Sequence, residues 1–555
     1  MRLVNRILVL ALSVLFVSCS QATHESARSL YNGIVLPEQW PPRYEEPTVR
    51  AEMQVPYLEA KPTIIPINIG RQLFVDDFLV SSTDMETVFH TPNFYSGNPV
   101  LEPSESWENT VGGAPYAAPF SDGIWYDEND GKFKMWYLAG AGLLHKQSNQ
   151  TFYTAYAESA DGKTWEKVIC DILPETNIVD TCDRDAATVW LDKAEKDPSK
   201  RFKLFNVERR PTDKRWQFML KYSSDGIHWS TPVAQSGDLY DRSSVFFNPF
   251  RNVWCLSMRY STAVSSRSRS YLEAEDPEDA VSLAHRVRKG VPDKNVVYWF
   301  TPDDKEPLNE EFPSVEPGIY NFDCIPYESI LLGQYSVWQG PENNICGELG
   351  IQKKNEIMLG YSRDGFHFYR PTHKPFMAND RSSDKTWNWG NMQSVGGVPL
   401  VVGDSLYFYC SGRRLNDIMW DSYTSTGLAT LRRDGFVSRH AGDQAKNLTT
   451  EVLSFDGKYL FVNADIRGKL SVEVLDVNGN NICSNIPEIV SIDGTKILVA
   501  NVGKYSGKNV RFRFTMTDGD IYAFWVSPWE SGESRGYMAG GGPGLSPTGV
   551  DIPIR

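Results

Sequence analysis

Asp122-Gly-Ile-Trp-Tyr-Asp127, a turn, and then Lys132-Phe-Lys-Met-Trp-Tyr137 form a phrase that this chain repeats, and the repetition decides the fold. Each half is a short aromatic-rich run bounded by turn residues, the pattern of a half-buried strand. Further copies open at Asp185 (Asp185-Ala-Ala-Thr-Val-Trp-Leu-Asp192, then Arg201 to Phe205) and at Asp241 (Asp241-Arg-Ser-Ser-Val-Phe-Phe-Asn248, then Asn252 to Leu256). Weaker copies open at Asp323 and at Asn391, the last having lost its acid. The opening positions 122, 185, 241, 323 and 391 lie 63, 56, 82 and 68 residues apart.

A second phrase keeps the same time: Ser159-Ala-Asp-Gly-Lys-Thr-Trp165, Ser223-Ser-Asp-Gly-Ile-His-Trp229 and Ser362-Arg-Asp-Gly-Phe-His-Phe368. Asp-Gly is a turn signal between strands, so its recurrence marks the outer hairpin of a repeated sheet. Units of roughly 55 to 80 residues with about four strands each predict a five-bladed β-propeller. The alternative is a β-sandwich with coincidental similarity.

The flanks differ. Arg2 and Arg6, the apolar run Ile7 to Val17 and then Val17-Ser18-Cys19 read as a signal peptide (1–19) ending in a lipobox, too short to span a membrane. Lipidation at Cys19 is therefore expected, with export to the bacterial cell envelope as an outer-membrane or periplasmic lipoprotein and membrane contact only through that anchor. Residues 20–69 are polar and Pro-rich and read as a tether and lead-in, with the propeller over 70–440 beginning near the strand Leu73 to Val80. One helix is expected inside it, with Asp276 as N-cap, Pro277 at the first position and Gly290 as stop. From 441 to 555 alternating runs such as Tyr459-Leu-Phe-Val-Asn463 and Val510-Arg-Phe-Arg-Phe514 predict a C-terminal β-sandwich, its Gly-rich tail packing over the domain junction. The fold class is all-β.

With 56 basic and 70 acidic side chains the net charge is −14, so the basic field that attracts nucleic acid is missing. Seven cysteines follow Cys19, an odd number that argues against a disulfide scaffold. Cys170 with Cys182, or Cys324 with Cys346, could pair across loops, but mostly buried thiols are expected. No Cys/His spacing suits a metal, and His145, His228, His285 and His367 lack ligand spacing too.

In a propeller the first strand of each blade lines the central channel, which brings Asp122, Asp185, Asp241 and Asp323 towards one funnel. Carboxylates gathered in one place raise at least one pKa, the condition for a protonated acid beside an ionised base. The bland alternative is that each Asp bonds neighbouring backbone N–H groups and holds its repeat together. Trp125, Trp190, Trp338 and Trp389 are candidate sugar platforms or blade packing. Arg242, Arg259, Arg267 and Arg269, if they face the funnel, could bind a sulfate or uronate, and otherwise form surface salt bridges.

Leu73-Phe-Val-Asp-Asp-Phe-Leu79, Asn98-Pro-Val-Leu101, Phe133-Lys-Met-Trp-Tyr137, Ser362-Arg-Asp-Gly-Phe-His367, Trp389-Gly-Asn-Met-Gln-Ser394 and Ser425-Thr-Gly-Leu-Ala-Thr430 resemble the five-bladed propeller glycosidases of glycoside hydrolase families 32, 43 and 68, most closely secreted bacterial family 32-like proteins. The resemblance implies an exo-acting glycoside hydrolase working on a plant or algal oligosaccharide. It implies Asp122 as nucleophile or base, Asp185, in an Arg184-Asp185 pair like the family 32 Arg-Asp-Pro motif, as transition-state stabiliser, and Glu328 as acid. Asp241, Asp323, Arg242, Trp389 and Gln393 are the expected substrate contacts. Ala186 replaces the motif's proline, there is no Trp-Met-Asn-Asp-Pro-Asn-Gly motif around Asp122 and no Glu-Cys pair, and Glu328 falls in the fourth repeat where the usual acid comes from the third. No cofactor is expected, although a central Ca²⁺ occurs in family 43-like propellers. The competing functions are a non-catalytic glycan-binding lipoprotein and a glycoside phosphorylase of the family 130 type. A sialidase fits less well, because the Asp-Gly phrase lacks the Asp-box spacing.

Overall fold

The computed structural model describes residues 28–110, 115–145, 151–415, 423–483 and 485–554, so Cys19 lies outside the described residues. Five antiparallel sheets follow one another as the phrases require. Blade 1 is built on Ile124–Asp127, Lys132–Gly140 and Phe152–Ser159, blade 2 on Arg184–Leu191, Phe202–Arg209 and Trp216–Ser223, and blade 3 on Ser244–Asn248, Val253–Tyr260 and Ser268–Ala274. Blade 4 is built on Gly318–Glu328, Ile330–Trp338 and Asn355–Ser362, and blade 5 on Leu400–Val402, Ser405–Arg414 and Tyr423–Arg432. Asn93–Phe94, from the N-terminal side, adds the last strand to blade 5 and so closes the ring with an early piece of chain.

The Asp-Gly phrases are the clamps between blades. In each, the Ser hydroxyl takes the glycine N–H and the Asp carboxylate caps the next two amides, as Ser223 and Asp225 do for Gly226, Ile227 and His228. Gly226 then meets the previous blade, where Trp136 Nε1 donates to its carbonyl at 2.7 Å. The turn of blade 1 repeats this towards blade 5, with Tyr409 Oη donating to the Gly162 carbonyl at 2.6 Å. His228 and His367 bond the Asp225 and Asp364 carboxylates of their own turns, a structural role.

The C-terminal β-sandwich is a nine-stranded arrangement around the long strands Tyr459–Leu475, Ile489–Asn501 and Arg511–Ser527, bent at bulges between Ile466 and Lys469, and it encloses Leu460, Val462, Phe512, Phe514 and Phe524. Its membership differs from the sequence expectation. Gln72–Leu73, Val80–Thr83 and Glu86–Phe89, assigned above to the propeller, pair instead with Arg511–Ser527, Lys446–Thr450 and Val437–Ala441. The physical reason is that Phe74, Phe78 and Leu79 find their apolar partners in the sandwich core, while Asp76 reaches out to take a bidentate grip from Arg363 of blade 4 at 2.8–3.1 Å. The expected tether is likewise packed down: Ile34, Leu36 and Tyr57 are buried in the same core.

The helix begins as expected, with the Asp276 carboxylate accepting from the Glu278 and Asp279 amides, but runs only over Pro277–Leu283. Gly290 is not its stop. Residues 284–286 bond instead to the edge of blade 2, through Gly237 N to Ala284 O at 2.9 Å and Arg286 N to Asp238 O at 2.6 Å, and the chain then turns at Arg288–Val291, where Val291 N bonds Arg288 O at 3.0 Å. Cys170, Cys182, Cys255, Cys324, Cys346, Cys410 and Cys483 are all free thiols, so neither cross-loop pair forms. Among the described residues no helix is long and apolar enough to cross a membrane.

Candidate active site

The axis of the propeller is nearly shut. The innermost strands of all five blades close on a void of about 10 Å³ lined by Trp125, Val189, Val245, Asp323 and Val398 among others, so the funnel has a floor. Trp125 and Trp190 belong to this packing, edge to face at 5.0 Å, with Trp125 Nε1 bonded to the Val189 carbonyl.

Three of the five inner strands are entered through a residue in the left-handed region, Ser121 (φ 68°), Arg242 (φ 58°) and Asn391 (φ 51°). Such backbone is held in place only by its surroundings, and it collects at functional sites. Just beyond Ser121 lies Asp122, fully enclosed, with Oδ1 taken by Arg184 Nη2 at 2.6 Å and Oδ2 by the Phe120 amide at 2.5 Å. Burial pushes its pKa up to about 6 against the pull of Arg184. Asp323 is also enclosed: Oδ2 accepts from Ser121 Oγ at 2.9 Å and Asn321 Nδ2 at 2.7 Å, while Oδ1 has no partner, and burial raises its pKa.

Two carboxylates reach solvent. The Asp185 side chain is 20% exposed and that of Asp241 is 27% exposed. Asp185 Oδ2 accepts from the Arg242 amide at 2.9 Å and lies 3.7 Å from Arg242 Nη1. Burial raises its pKa, Arg242 opposes the rise and the Asp241 charge adds to it. Asp241 goes the other way. Burial works to raise it, but the ion pair with Arg259, backed by Arg267 and Arg242, outweighs this and holds it below the ordinary carboxylate value. Two neighbouring carboxyl groups thus have their pKa values driven apart, the arrangement that separates a general acid from an ionised partner.

Arg242 stands among all four acids, its charge acting on Asp122, Asp185, Asp241 and Asp323. Its guanidinium lies over Phe120 at 3.1 Å and Tyr320 at 4.7 Å. Arg267 lies over Tyr320 too, at 4.6 Å, and over Trp338 at 5.6 Å. Gln393 Nε2 donates to Tyr320 Oη at 2.9 Å and its Oε1 accepts from Arg413, so it belongs to the same group. Arg269 does not face solvent: it is fully buried, holds the Arg242 carbonyl at 2.7 Å and Ser257, and burial pushes its pKa down to about 9. Trp389 is half-buried against Arg381 at 5.2 Å and makes no ring contact with this group.

Glu328 is not brought to the funnel. It ends the strand Gly318–Glu328 that Asp323 begins to line, and five residues of extended chain carry it roughly 16 Å further along. There it is fully buried in an ion cluster at the junction with the sandwich, accepting from the Arg71 amide at 3.1 Å, Arg433 Nη2 at 3.1 Å and Ser534 Oγ at 2.6 Å. Its neighbours are cations and hydroxyls of the scaffold, and the tail strand Tyr537–Met538 seals it from below.

The residues do not suit a central Ca²⁺, because Asp122, Asp185 and Asp241 each already face a guanidinium. Among the described residues two other groups have metal-like spacing, and both hold a cation of the chain instead: Lys221 sits on Asp180 and Glu208, and Arg370 on Asp303 beside His373.

No family model matches the chain, and no curated protein matches it in sequence. Solved structures do. A glycosyl hydrolase from Bacteroides ovatus is 12% identical over 65% of this chain and 96% of its own, with a TM-score of 0.39. A fructofuranosidase from Schwanniomyces occidentalis is 10% identical over 80% and 98%, with a TM-score of 0.37. An exo-β-1,3-galactanase from Phanerochaete chrysosporium is 10% identical over 76% and 99%, with a TM-score of 0.33.

Phe120, Tyr320 and Arg413 escaped the sequence reading. Phe120 and Tyr320 lie two and three residues ahead of a leading acid, where the repeat register could have pointed to them.

Proposed function

We propose that this chain is a glycan-active enzyme of the glycoside hydrolase type that works in the propeller funnel with Asp185 and Asp241 as its carboxyl pair. The observation that carries this is the pair itself: the two solvent-reaching acids of the funnel, one pKa raised and the other lowered. Asp185 in its protonated form donates its proton to the glycosidic oxygen as the bond to the leaving sugar breaks, and from the opposite face the Asp241 carboxylate either takes the proton of the water that bonds to the anomeric carbon or bonds to that carbon itself as an ester that water then hydrolyses. Asp122, locked to Arg184, positions rather than reacts: it fixes the chain that carries Asp185, since Arg184 Nη1 also donates to the Asp185 carbonyl at 3.1 Å. A floored funnel favours capture of a chain end, which supports exo action. Export and tethering at Cys19 belong to the same proposal, supported by the basic, apolar and Val17-Ser18-Cys19 segments; labelled fatty acid should enter the protein and be lost in Cys19→Ser.

The test is a product screen of the 20–555 chain against plant and algal oligosaccharides, beside Asp185→Asn and Asp241→Asn. Monosaccharide release by the parent, reduced roughly 10²–10⁴-fold in each variant, is expected. Undiminished release by both variants would refute the assignment. A phosphorylase is the second reading, favoured by the Arg242 guanidinium, whose donors make no hydrogen bond although Asp185 lies 3.7 Å away; it requires turnover to depend on inorganic phosphate and to yield a sugar phosphate. Saturable binding with no turnover would make the chain a glycan-binding protein.

A further inference from the structure

We propose that the glycan taken by this funnel is anionic, carrying carboxylate or sulfate groups on the units bound across blades 3 and 4; this rests on the funnel being the glycan site. The chain has a net charge of −14, yet the funnel mouth above blade 3 is lined with cations. Three of them come from one short segment, His285-Arg-Val-Arg-Lys289, which follows the early end of the helix. Arg286 and Arg288 line, with Arg215 and Arg259, a pocket of about 620 Å³ that reaches Asp241. Lys289 lines a second pocket of about 340 Å³ with Arg267, Trp338 and Glu316, the last paired with Arg50. Each is large enough for saccharide units.

Part of this charge is answered within the protein, since Arg210 and Arg215 pair with Asp238, and Arg259 with Asp241. Arg267, Arg286, Arg288 and Lys289 form no salt bridge among the described residues. Like charges held together repel unless a counter-charge arrives. Arg242 supplies the second, independent observation. It is 1% exposed, and Nε, Nη1 and Nη2 all lack a hydrogen-bond partner. Its near counter-charge is Asp185 at 3.7 Å, beyond hydrogen-bonding distance, so its planar fork keeps donors for the two oxygens of a carboxylate or sulfate. A single phosphate needs its cations around one point, whereas Arg286 and Arg288 line one pocket and Arg267 and Lys289 another, the arrangement for charges spaced along a chain.

The test is calorimetric binding to the full chain carrying Asp185→Asn, so that nothing is consumed, with two matched pairs: trigalacturonate against its methyl ester, and a sulfated galactose disaccharide against its desulfated form. Inorganic phosphate and sulfate are titrated alone. One charged member should bind roughly tenfold or more tighter than its neutral partner. The preference should shrink with added salt and be largely lost in Arg286→Gln/Arg288→Gln/Lys289→Gln, whose changes are on exposed side chains and leave the fold intact. Whichever pair shows it identifies uronate or sulfate as the source. Equal affinities within both pairs, no binding of any of the four, or binding of inorganic phosphate alone would overturn the proposal. Charged-over-neutral preference without turnover by the parent protein would refute the hydrolase and leave this inference standing. Turnover by the parent together with equal affinities within both pairs would do the reverse.

Discussion

At the scale of single residues, the proposed function divides the acids into Asp185 and Asp241, which react, and Asp122 and Glu328, which hold the scaffold. The working form needs Asp185 protonated and Asp241 ionised. Activity should therefore fall as pH rises through the raised Asp185 pKa, and fall again as pH drops through the lowered Asp241 pKa. Arg259→Gln removes the guanidinium that holds Asp241 down, so the acidic limb of kcat/KM should move to higher pH, a shift that a purely structural role would not produce. Glu328→Gln should leave the pH profile unchanged and lower stability by about 1–3 kcal/mol, because Arg71 and Arg433 lose the counter-charge they share while keeping Asp434 and Asp551. A thermal melt beside an activity assay checks both. The contrast also shows what the sequence could carry at this scale. The leading acids were legible because each opens a repeated phrase. Glu328 was misplaced because sequence distance along a strand is also distance through the molecule, and five residues past Asp323 the chain has left the funnel.

At the scale of elements, the repeated Ser-x-Asp-Gly turn is both the signal that revealed the blades and the joint that holds them. Gly226 sits at φ 81°, and a Cβ there would stand 2.4 Å from the Trp136 ring. Gly226→Ala should cost about 1–3 kcal/mol through overpacking alone, with the strained backbone adding to it, and should show as a lower midpoint in denaturant without loss of strand content by circular dichroism. The inner and middle strands of every blade were readable from aromatic runs and turn signals. The end of the helix was not, since Gly290 is a good stop and nothing local to Ala284 predicts that its carbonyl would be claimed by Gly237 of another blade. That displacement also leaves Arg286 and Arg288 lining the pocket that reaches Asp241.

At the scale of the whole molecule, propeller and sandwich are interlaced. The strands before Phe89 lie in the sandwich, Asn93–Phe94 closes blade 5, and Tyr537–Met538 returns from the sandwich to extend blade 4. Removing residues 535–555 should therefore destabilise both parts together, seen as one lowered transition by tryptophan fluorescence and by circular dichroism, rather than freeing a stable propeller. Such interlacing hides from a linear reading, because a strand's partner hundreds of residues away leaves no mark on its own pattern. The central claim is that a glycan end binds in the floored funnel with its scissile oxygen between Asp185 and Asp241. The most direct measurement is a crystal structure of the Asp241→Asn protein with the oligosaccharide that the screen identifies. The account predicts the glycosidic oxygen within hydrogen-bonding distance of Asp185 and an anionic substituent on Arg242, Arg259 or Arg267. A glycan seated on the sandwich, or in the funnel with no oxygen near Asp185, would contradict it.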